Sequence, residues 1–336
     1  MSKRSFNSVT LEDVAREALV SRATVSRVVR GSGGVKQTKV DAVQEAIKKL
    51  NYIPNRSARS LVTQKTDLIA VIIPENNHMI FADPFFSASI SGVQDALETS
   101  DENPVIIFGN KDGDIDHVTH FLELGHVDGA IVLSHHRNMK QLQQFKNSST
   151  PLVFIGRPDI GQDYSWVDID NYDGGRQAAA YLHNKGAANL AIITGRLDMV
   201  AGSERARGFE DYCREHRISY IREIGSFTHQ GAIEATRKLL TKKDQFDGLF
   251  VCSDLMSTGV LEVCQDKSIK IPDEFLLVSF DNSELSVKAK PQFTSLTNPA
   301  YELATHAVQM LRKLINNPQE THQLTLPVEL VLRESA

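Results

Sequence analysis

Between residues 68 and 332 the chain repeats one pattern. A short apolar run the length of a β-strand is followed by an amphipathic stretch the length of a helix. The runs are LIAVIIP (68–74), PVIIFG (104–109), DGAIVLS (128–134), PLVFIG (151–156), WVDID (166–170), NLAIITG (189–195), GLFVCS (248–253), FLLVSFD (275–281) and LPVELVL (326–332). The helical stretches include 85–99, 173–186, 203–216 and 299–315. A strand that is apolar along its whole length is buried on both faces, and parallel neighbours need a crossover helix. The pattern therefore calls for parallel sheets with helices on both sides. Nine runs are too many for one comfortable sheet, so two doubly wound lobes are expected, each about half of this body. Such sheets take ligands at the carboxyl ends of their strands, and two lobes leave a cleft between them.

The first 65 residues follow a different rule. They hold 13 Lys and Arg against 5 acidic residues, a net of +8, in a chain whose total is −5; the remainder therefore carries −13. A small basic head on a large acidic body points to a polyanionic partner for the head alone. The head also has helical periodicity. Thr10 and Asp13 form a capping pattern ahead of the apolar face Val14, Ala15 and Ala18. Ser21 can cap a second helix with Val25, Val28 and Val29 inward, and Thr38 with Asp41 repeats the capping pattern before Val43, Ala46, Ile47 and Leu50. Three short helices sharing an apolar seam, the first two joined by a tight turn, make an all-α helix-turn-helix head. With the valines inward, Arg22, Ala23, Ser26, Arg27 and Arg30 lie on the outer face of the second helix. Arginine pairs bidentately with guanine, while hydroxyls and helix N-termini suit phosphates, so this helix is expected to enter the major groove of duplex DNA.

NYIPNRSARSLVTQK comes after the third helix. Pro54 interrupts that helix and can open a short new one carrying Asn55, Arg56, Arg59 and Leu61. So short a helix is marginal alone. It can fold against a partner, with Leu61 as an apolar wedge in the minor groove, or serve as a plain linker. The expected domains are a head over 1–53, a hinge and linker over 54–66, and a two-lobed body over 67–336.

In the body, the strand ends carry the candidate site. Asp83-Pro84-Phe85-Phe86 opens one helix, Gly156-Arg157 ends a strand, and Asp168 and Asp170 precede the helix with Gly174-Gly175. Ser203 can cap the helix carrying Arg205, Phe227 sits in a loop, and Ser253-Asp254 and Asp281-Asn282 end two late strands. A carboxylate and a guanidinium across a cleft can bind vicinal hydroxyls of a sugar, and an aromatic face can pack on its ring. Each residue has a plainer reading too: Asp254 as a helix cap, Arg205 as a surface ion pair, Phe227 as core. Their shared position at strand ends marks the set.

Other functions are disfavoured. No apolar run approaches the roughly 18 residues of a membrane span, and MSKRSFNSVT lacks the apolar stretch of a secretory signal. Cys213, Cys252 and Cys264 have no metal-ligand spacing, and three thiols suit a reducing cytoplasm. GNKDGD, DGDIDH and the His135-His136 pair match no phosphate-binding glycine motif or nucleophile elbow, and a histidine pair in a loop is expected to be solvated. No enzyme, cofactor or metal is expected.

The run TLEDVAREALVSRATVSRVVRGSGGVKQTKVDAVQEAIKKLNYIPNRSARSL resembles the DNA-binding head and hinge of the LacI/GalR bacterial repressors, most specifically in TVSRVV, the Val35-to-Thr38 turn and NYIPNRSARSL. DPFFSASISGVQDAL, DNYDGGRQAAAYL, SERARGF, CSDLMSTGVLEV and LLVSFDNSEL resemble that family's periplasmic-binding-protein-like effector domain. The resemblance implies that Arg22 and Ala23 read operator bases. Thr24, Ser26 and Arg27 would support base and phosphate contacts, with Thr10, Ser21 and Arg30 beside them. Leu61 would be the minor-groove lever, flanked by Asn55, Arg56 and Ala58. Phe85, Phe86, Arg205, Phe227, Ser253 and Asp281 would bind the effector. Four departures stand out. Leu19 replaces a turn glycine, where a left-handed conformation costs roughly 1–2 kcal/mol. Arg30 replaces Asn, Ser253 stands where many sugar-binding members carry Asn, and Asp83 replaces Asn. The chain ends at RESA without a leucine-heptad tail, so the tetramer-forming extension of some members is not expected. The resemblance implies a cytoplasmic repressor that binds a pseudopalindromic operator as a homodimer, with a sugar or sugar phosphate effector between its lobes. A purine-like corepressor is the alternative, a sugar-metabolising enzyme the remoter one.

Overall fold

The computed structural model describes residues 9–29, 33–52, 65–75, 77–109, 116–137, 145, 148–159 and 164–336. Arg30 and the hinge residues Asn55, Arg56, Ala58 and Leu61 lie outside the described residues. The chain divides into two compact units, 1–66 and 67–336.

The first unit holds three helices: α1 (Leu11–Glu17), α2 (Arg22–Val29) and α3 (Gln37–Leu50). Thr10 and Asp13 close a full capping box on α1: the Thr10 hydroxyl accepts from the Asp13 N–H, and the Asp13 carboxylate accepts from the Thr10 N–H at 3.0 Å. Those bonds hold the Asp13 carboxyl below its usual range. Ser21 caps α2, accepting from the Thr24 N–H at 3.2 Å. The expected Thr38 cap on α3 is absent. That helix begins two residues earlier than a Thr38 cap would set it, with Lys36 at the N-cap and no side-chain cap, and Asp41 instead accepts from Gln37 at 2.8 Å. Val14, Ala15, Val25, Val43, Ala46 and Tyr52 bury the common seam.

The α1–α2 turn places Leu19 at φ +52° with its side chain 92% exposed. The left-handed strain expected from the missing glycine is real, and no packing offsets it. Leu19→Gly should therefore stabilise the head by about 1 kcal/mol. Chemical denaturation followed by helical circular dichroism checks this, and an unchanged or lower midpoint would refute it.

The second unit is two six-stranded sheets. Lobe one runs β11-β5-β4-β3-β1-β2 and lobe two runs β12-β10-β9-β8-β6-β7. The lobe-one strands are β1 (Leu68–Ile73), β2 (Asn103–Phe108), β3 (Gly129–Leu133), β4 (Leu152–Ile155), β5 (Ser165–Ile169) and β11 (Gln323–Leu326). Lobe two is built from β6 (Asn189–Thr194), β7 (Ser219–Ile224), β8 (Gly248–Val251), β9 (Leu276–Asp281), β10 (Thr294–Thr297) and β12 (Leu330–Val331). All described pairings are parallel except β10–β12. β1, β3, β4 and β8 are buried almost throughout, as wholly apolar runs require. The helices are α4 (Asn77–Ala82), α5 (Pro84–Leu97) and α6 (Asp116–Glu123), then α7 (Asn171–Asn184), α8 (Val200–Glu215), α9 (His229–Leu240) and α10 (Asp254–Asp266). Short α11 (Glu284–Lys288) and long α12 (Ala300–Asn316) are the last helices among the described residues.

Three differences from the sequence reading have physical causes. LPVELVL is not one strand: Pro327 cannot continue the ladder, so β11 ends in lobe one and β12 begins in lobe two. β7 (SYIREI) and β10 (TSLT) lack continuous apolar character. The first is a half-exposed edge, and the second is buried through hydroxyls that find partners. Ser203 does not cap α8. The helix starts at Val200, and the Ser203 hydroxyl donates back to the Val200 carbonyl at 3.1 Å.

The chain crosses between sheets three times, near 170, 298 and 327. In both lobes the strand order reverses at an inner pair, β1/β3 and β6/β8, the positions where open sheets receive ligands.

Candidate functional sites

On the head, α2 presents Arg22, Ala23 and Arg27 to solvent, with Thr24 and Ser26 half-buried beside them. Thr24 Oγ1 and Ser21 Oγ share a hydrogen bond of 2.9 Å, so Thr24 is oriented by the cap. Arg22 pairs through Nε with Glu12 of α1 at 2.9 Å, both side chains more than half exposed. An exposed pair of this kind contributes little and exchanges readily for another anion. Thr10 and Ser21 stand at the starts of α1 and α2.

In the body, the carboxyl ends of the strands converge on one cleft lined from both lobes. Arg205 on α8 is its centre. The guanidinium is buried; it donates to Asn171 Oδ1 at 2.8 Å and to the Cys252 carbonyl at 2.7 Å, and lies 3.6 Å from Asp281 Oδ1. It also sits 3.5 Å over the Phe280 ring, a cation–π contact in a desolvated setting. Gly175 lets α7 and α8 approach closely enough for this: a Cβ there would fall 2.1 Å from the Arg205 carbonyl oxygen. Asn171 in turn donates to Asp168 Oδ1 at 3.0 Å, and Asp168 accepts from the Arg157 and Ile169 N–H groups at 2.9 and 2.8 Å. Burial raises the Asp168 carboxyl above its usual range, against the pull of those bonds.

Asp281 accepts from Asn298 at 3.1 Å at a φ of +106°, and burial raises its pKa. Asp83 faces the same space; it caps α5 by accepting from the Phe85 N–H at 3.0 Å. Burial first, and the Asp281 carboxylate second, raise Asp83 to about 7. Phe85 and Phe86 meet edge to face at 5.4 Å; Phe86 is core, while Phe85 stays partly open. Phe227 lies at φ +57° with its ring flat on Gly195, where no Cβ could fit.

Ser253, not Asp254, caps α10, accepting from the Met256 N–H at 3.2 Å; its hydroxyl is committed to the fold. Asp254 is buried and takes hydrogen bonds from the hydroxyls of Ser279, Ser295 and Ser283 and from the Ser283 N–H. Burial still lifts it to about 7, the Asp281 charge adding to the effect. The three cysteines are free and buried, each thiol pushed up to about 12 by desolvation. The structure thus gathers Phe85, Phe86, Arg205, Phe227, Ser253 and Asp281 around one cavity. Sequence reading missed Asn171, Asn298 and Met79 in the same lining. Asn171 comes just after Asp168 and Asp170 at a strand end, the one signal that could have found it. The histidine pair is not solvated: His135 is buried, and His136 is enclosed by carboxylates.

Residues 10–55 match the model of bacterial regulatory proteins of the lacI family, and residues 179–336 match that of periplasmic binding protein-like domains. The chain is 36% identical over 333 residues to the HTH-type transcriptional regulator CelR of Thermobifida fusca, covering 97% of this chain and 98% of that one. It is 33% identical over 337 residues to catabolite control protein A of Priestia megaterium, covering 98% and 99%. A solved CelR–cellobiose complex superposes with a TM-score of 0.77 at 34% identity over 98% of this chain and all of that one. A lac repressor dimer bound to operator superposes at 0.86 with 24% identity over 98% and 99%, a likeness of fold. A helix-turn-helix head joined to a two-lobed binding body defines a ligand-responsive class of DNA-binding regulator. This protein belongs to the lacI family of bacterial transcriptional regulators. No described helix is long and apolar enough to cross a membrane.

The raised carboxyls make stability depend on pH. Folded Asp83 titrates near 7 against about 3.8 when unfolded, so the native state holds its proton more tightly. Stability from this group is full at low pH and falls as pH rises from about 4 through 7. Asp83→Asn keeps a capping oxygen and removes the charge. It should raise stability at pH 8 by about 1–2 kcal/mol, a value discounted because Asp83 keeps some area open to the cleft, and the gain should vanish near pH 4. Thermal unfolding across pH 4–8 measures this; a gain equal at all pH values would disprove it.

Proposed function

We propose that this regulator is a homodimeric repressor that holds a pseudopalindromic operator through α2 and responds to an uncharged sugar held between its lobes. The observation that carries the sugar reading is the buried Asn171–Arg205–Asp281 array beneath the Phe85 and Phe227 rings. It offers polar partners to ring hydroxyls and an apolar face to the ring. The cavity carries the carboxyls of Asp83, Asp168 and Asp281. Its lining cations among the described residues, Arg205 and Arg157, already have carboxylate neighbours in Asp281 and Glu204. A phosphate would have to compete with those carboxylates, so a neutral sugar is favoured over a sugar phosphate. Cellobiose, the ligand of the CelR complex, is therefore the first candidate.

On DNA, Arg22 and Ala23 read base edges, and Thr24, Ser26, Arg27, Arg30, Thr10 and Ser21 supply supporting and phosphate contacts. The domains are the head over 1–53, the hinge over 54–66 and the body. In the hinge, Asn55, Arg56 and Ala58 flank Leu61, which enters the minor groove. Two-fold symmetry matches half-sites. An apolar surface around Phe81 (79% exposed), Ile106 and Tyr301 suits a second copy.

Selection from randomised duplexes tests the DNA side. The protein should enrich a pseudopalindrome, and Arg22→Ala should lose roughly 1–3 kcal/mol and relax one position per half-site. Equal loss on every sequence would reduce Arg22 to a phosphate contact. Thermal shift against cellobiose, glucose, glucose 6-phosphate and hypoxanthine tests the cleft. Cellobiose should raise the midpoint, and Arg205→Met should abolish the shift. A shift with hypoxanthine alone would replace the sugar reading by a purine corepressor.

A further inference from the structure

The rim of the cleft holds a cluster that neither DNA nor effector binding uses. Glu75 lies just after β1 and His136 just after β3, both at carboxyl ends of lobe-one strands, whereas Asp198 lies after β6 of lobe two. Glu75 is 4% exposed; its Oε1 accepts from Ser134 Oγ at 2.7 Å and lies 2.9 Å from His136 Nε2. On the other side of the ring, His136 Nδ1 lies 3.2 Å from Asp198 Oδ2, in ion-pair range though off the line of a straight hydrogen bond. One imidazole therefore spans two carboxylates, one from each lobe. The next residue ties the same segments again: the Arg137 N–H donates to the Asp198 carbonyl at 2.7 Å.

A neutral imidazole has one N–H and turns a lone pair toward its second neighbour; the imidazolium donates from both nitrogens. Only the protonated ring attracts both carboxylates. We propose that His136 is a proton-operated latch: as imidazolium it joins Glu75 of lobe one to Asp198 of lobe two and holds the cleft mouth closed, and deprotonation releases the lobe-two side.

The surrounding charges fit this role. Arg196 donates to both Asp198 oxygens, at 3.0 and 2.8 Å, and also feels Glu75. The Arg137 side chain pairs with Asp159 at 2.8 Å. His135, next in the chain, is pushed down to about 4 by burial and adds no charge at neutral pH. Among the described residues, Arg196 offsets one of the two carboxylates, and the proton on His136 offsets the other. Both ends of the latch adjoin cleft-lining residues: Ser134 and His135 precede His136 on one lobe, and Met199 and Val200 follow Asp198 on the other. A ligand that requires closed lobes then binds with proton uptake, because coupling is reciprocal.

The ligand-free full-length protein tests the latch through a double-mutant cycle of His136→Gln and Asp198→Asn, unfolded thermally at pH 6.0 and pH 8.0. His136→Gln should lower the midpoint by about 2 °C or more at pH 6.0, and by much less at pH 8.0. In the Asp198→Asn background that loss should shrink, because only the pair with Glu75 remains. Additive shifts, or a His136 effect independent of pH, would overturn the proposal; the Asp83 titration is common to all four proteins and cancels. A second arm, resting on the sugar reading of the cleft, measures cellobiose binding. Wild type should bind at least about threefold tighter at pH 6.0 than at pH 8.0, relative to His136→Gln. A matching pH profile in both proteins would contradict closure by the latch. Failure of cellobiose to bind either protein would count against the sugar reading, and the unfolding cycle would still decide the latch.

Discussion

The body depends on one buried guanidinium. Arg205, itself buried, meets Asn171, the Cys252 carbonyl and Asp281 at the floor of the cleft, and lies over Phe280. A buried cation without such partners would be prohibitively costly, and removing it would leave a buried carboxylate uncompensated. Through Asn171 the array continues to Asp168 at the end of a lobe-one strand, while Asp281 and Cys252 end lobe-two strands. The same bonds that satisfy one arginine thus join both lobes at the floor of the cleft.

Around this centre lie four carboxyls, Asp83, Asp168 and Asp281 in the cleft lining and Asp254 buried beside Asp281. Asp83, Asp168, Asp254 and Asp281 all carry raised pKa values, and burial is the leading cause of each. Asp254 is secured by serine hydroxyls and a backbone N–H. Asp83 has one backbone donor besides the charges around it, and it faces the cavity. Groups poised in this way give up stability as pH rises to neutrality. At the rim, His136 stands between Glu75 of lobe one and Asp198 of lobe two, across the lobes rather than within the floor.

Much of this was legible in the chain itself. Continuous apolar runs announce parallel, doubly buried strands, because no other element tolerates them at that length. The capping box at Thr10 and Asp13 and the cap at Ser21 are local chemistry, and there the backbone turns where the spacing places the cap. Leu19 is equally local: a turn of that shape imposes a left-handed residue whatever side chain stands there. β7 was illegible because a half-exposed edge strand lacks a continuous apolar run, and β10 because its burial comes from neighbours that the sequence does not name. Thr38 and Ser203 misled for a related reason. A hydroxyl near a helix start is a cap only if the backbone turns there.

What the sequence determined by itself was therefore the periodic and the local: the basic three-helix head, the alternation of strand and helix, and strand ends rich in Asp, Arg and Phe. Tertiary structure alone decided which of those ends meet. Asn171, Arg205 and Asp281 lie in different elements, as do Glu75, His136 and Asp198, and three crossings between sheets bring each set together. Burial then changes their chemistry, since a carboxylate or imidazole out of water keeps or loses its proton according to partners that folding supplies.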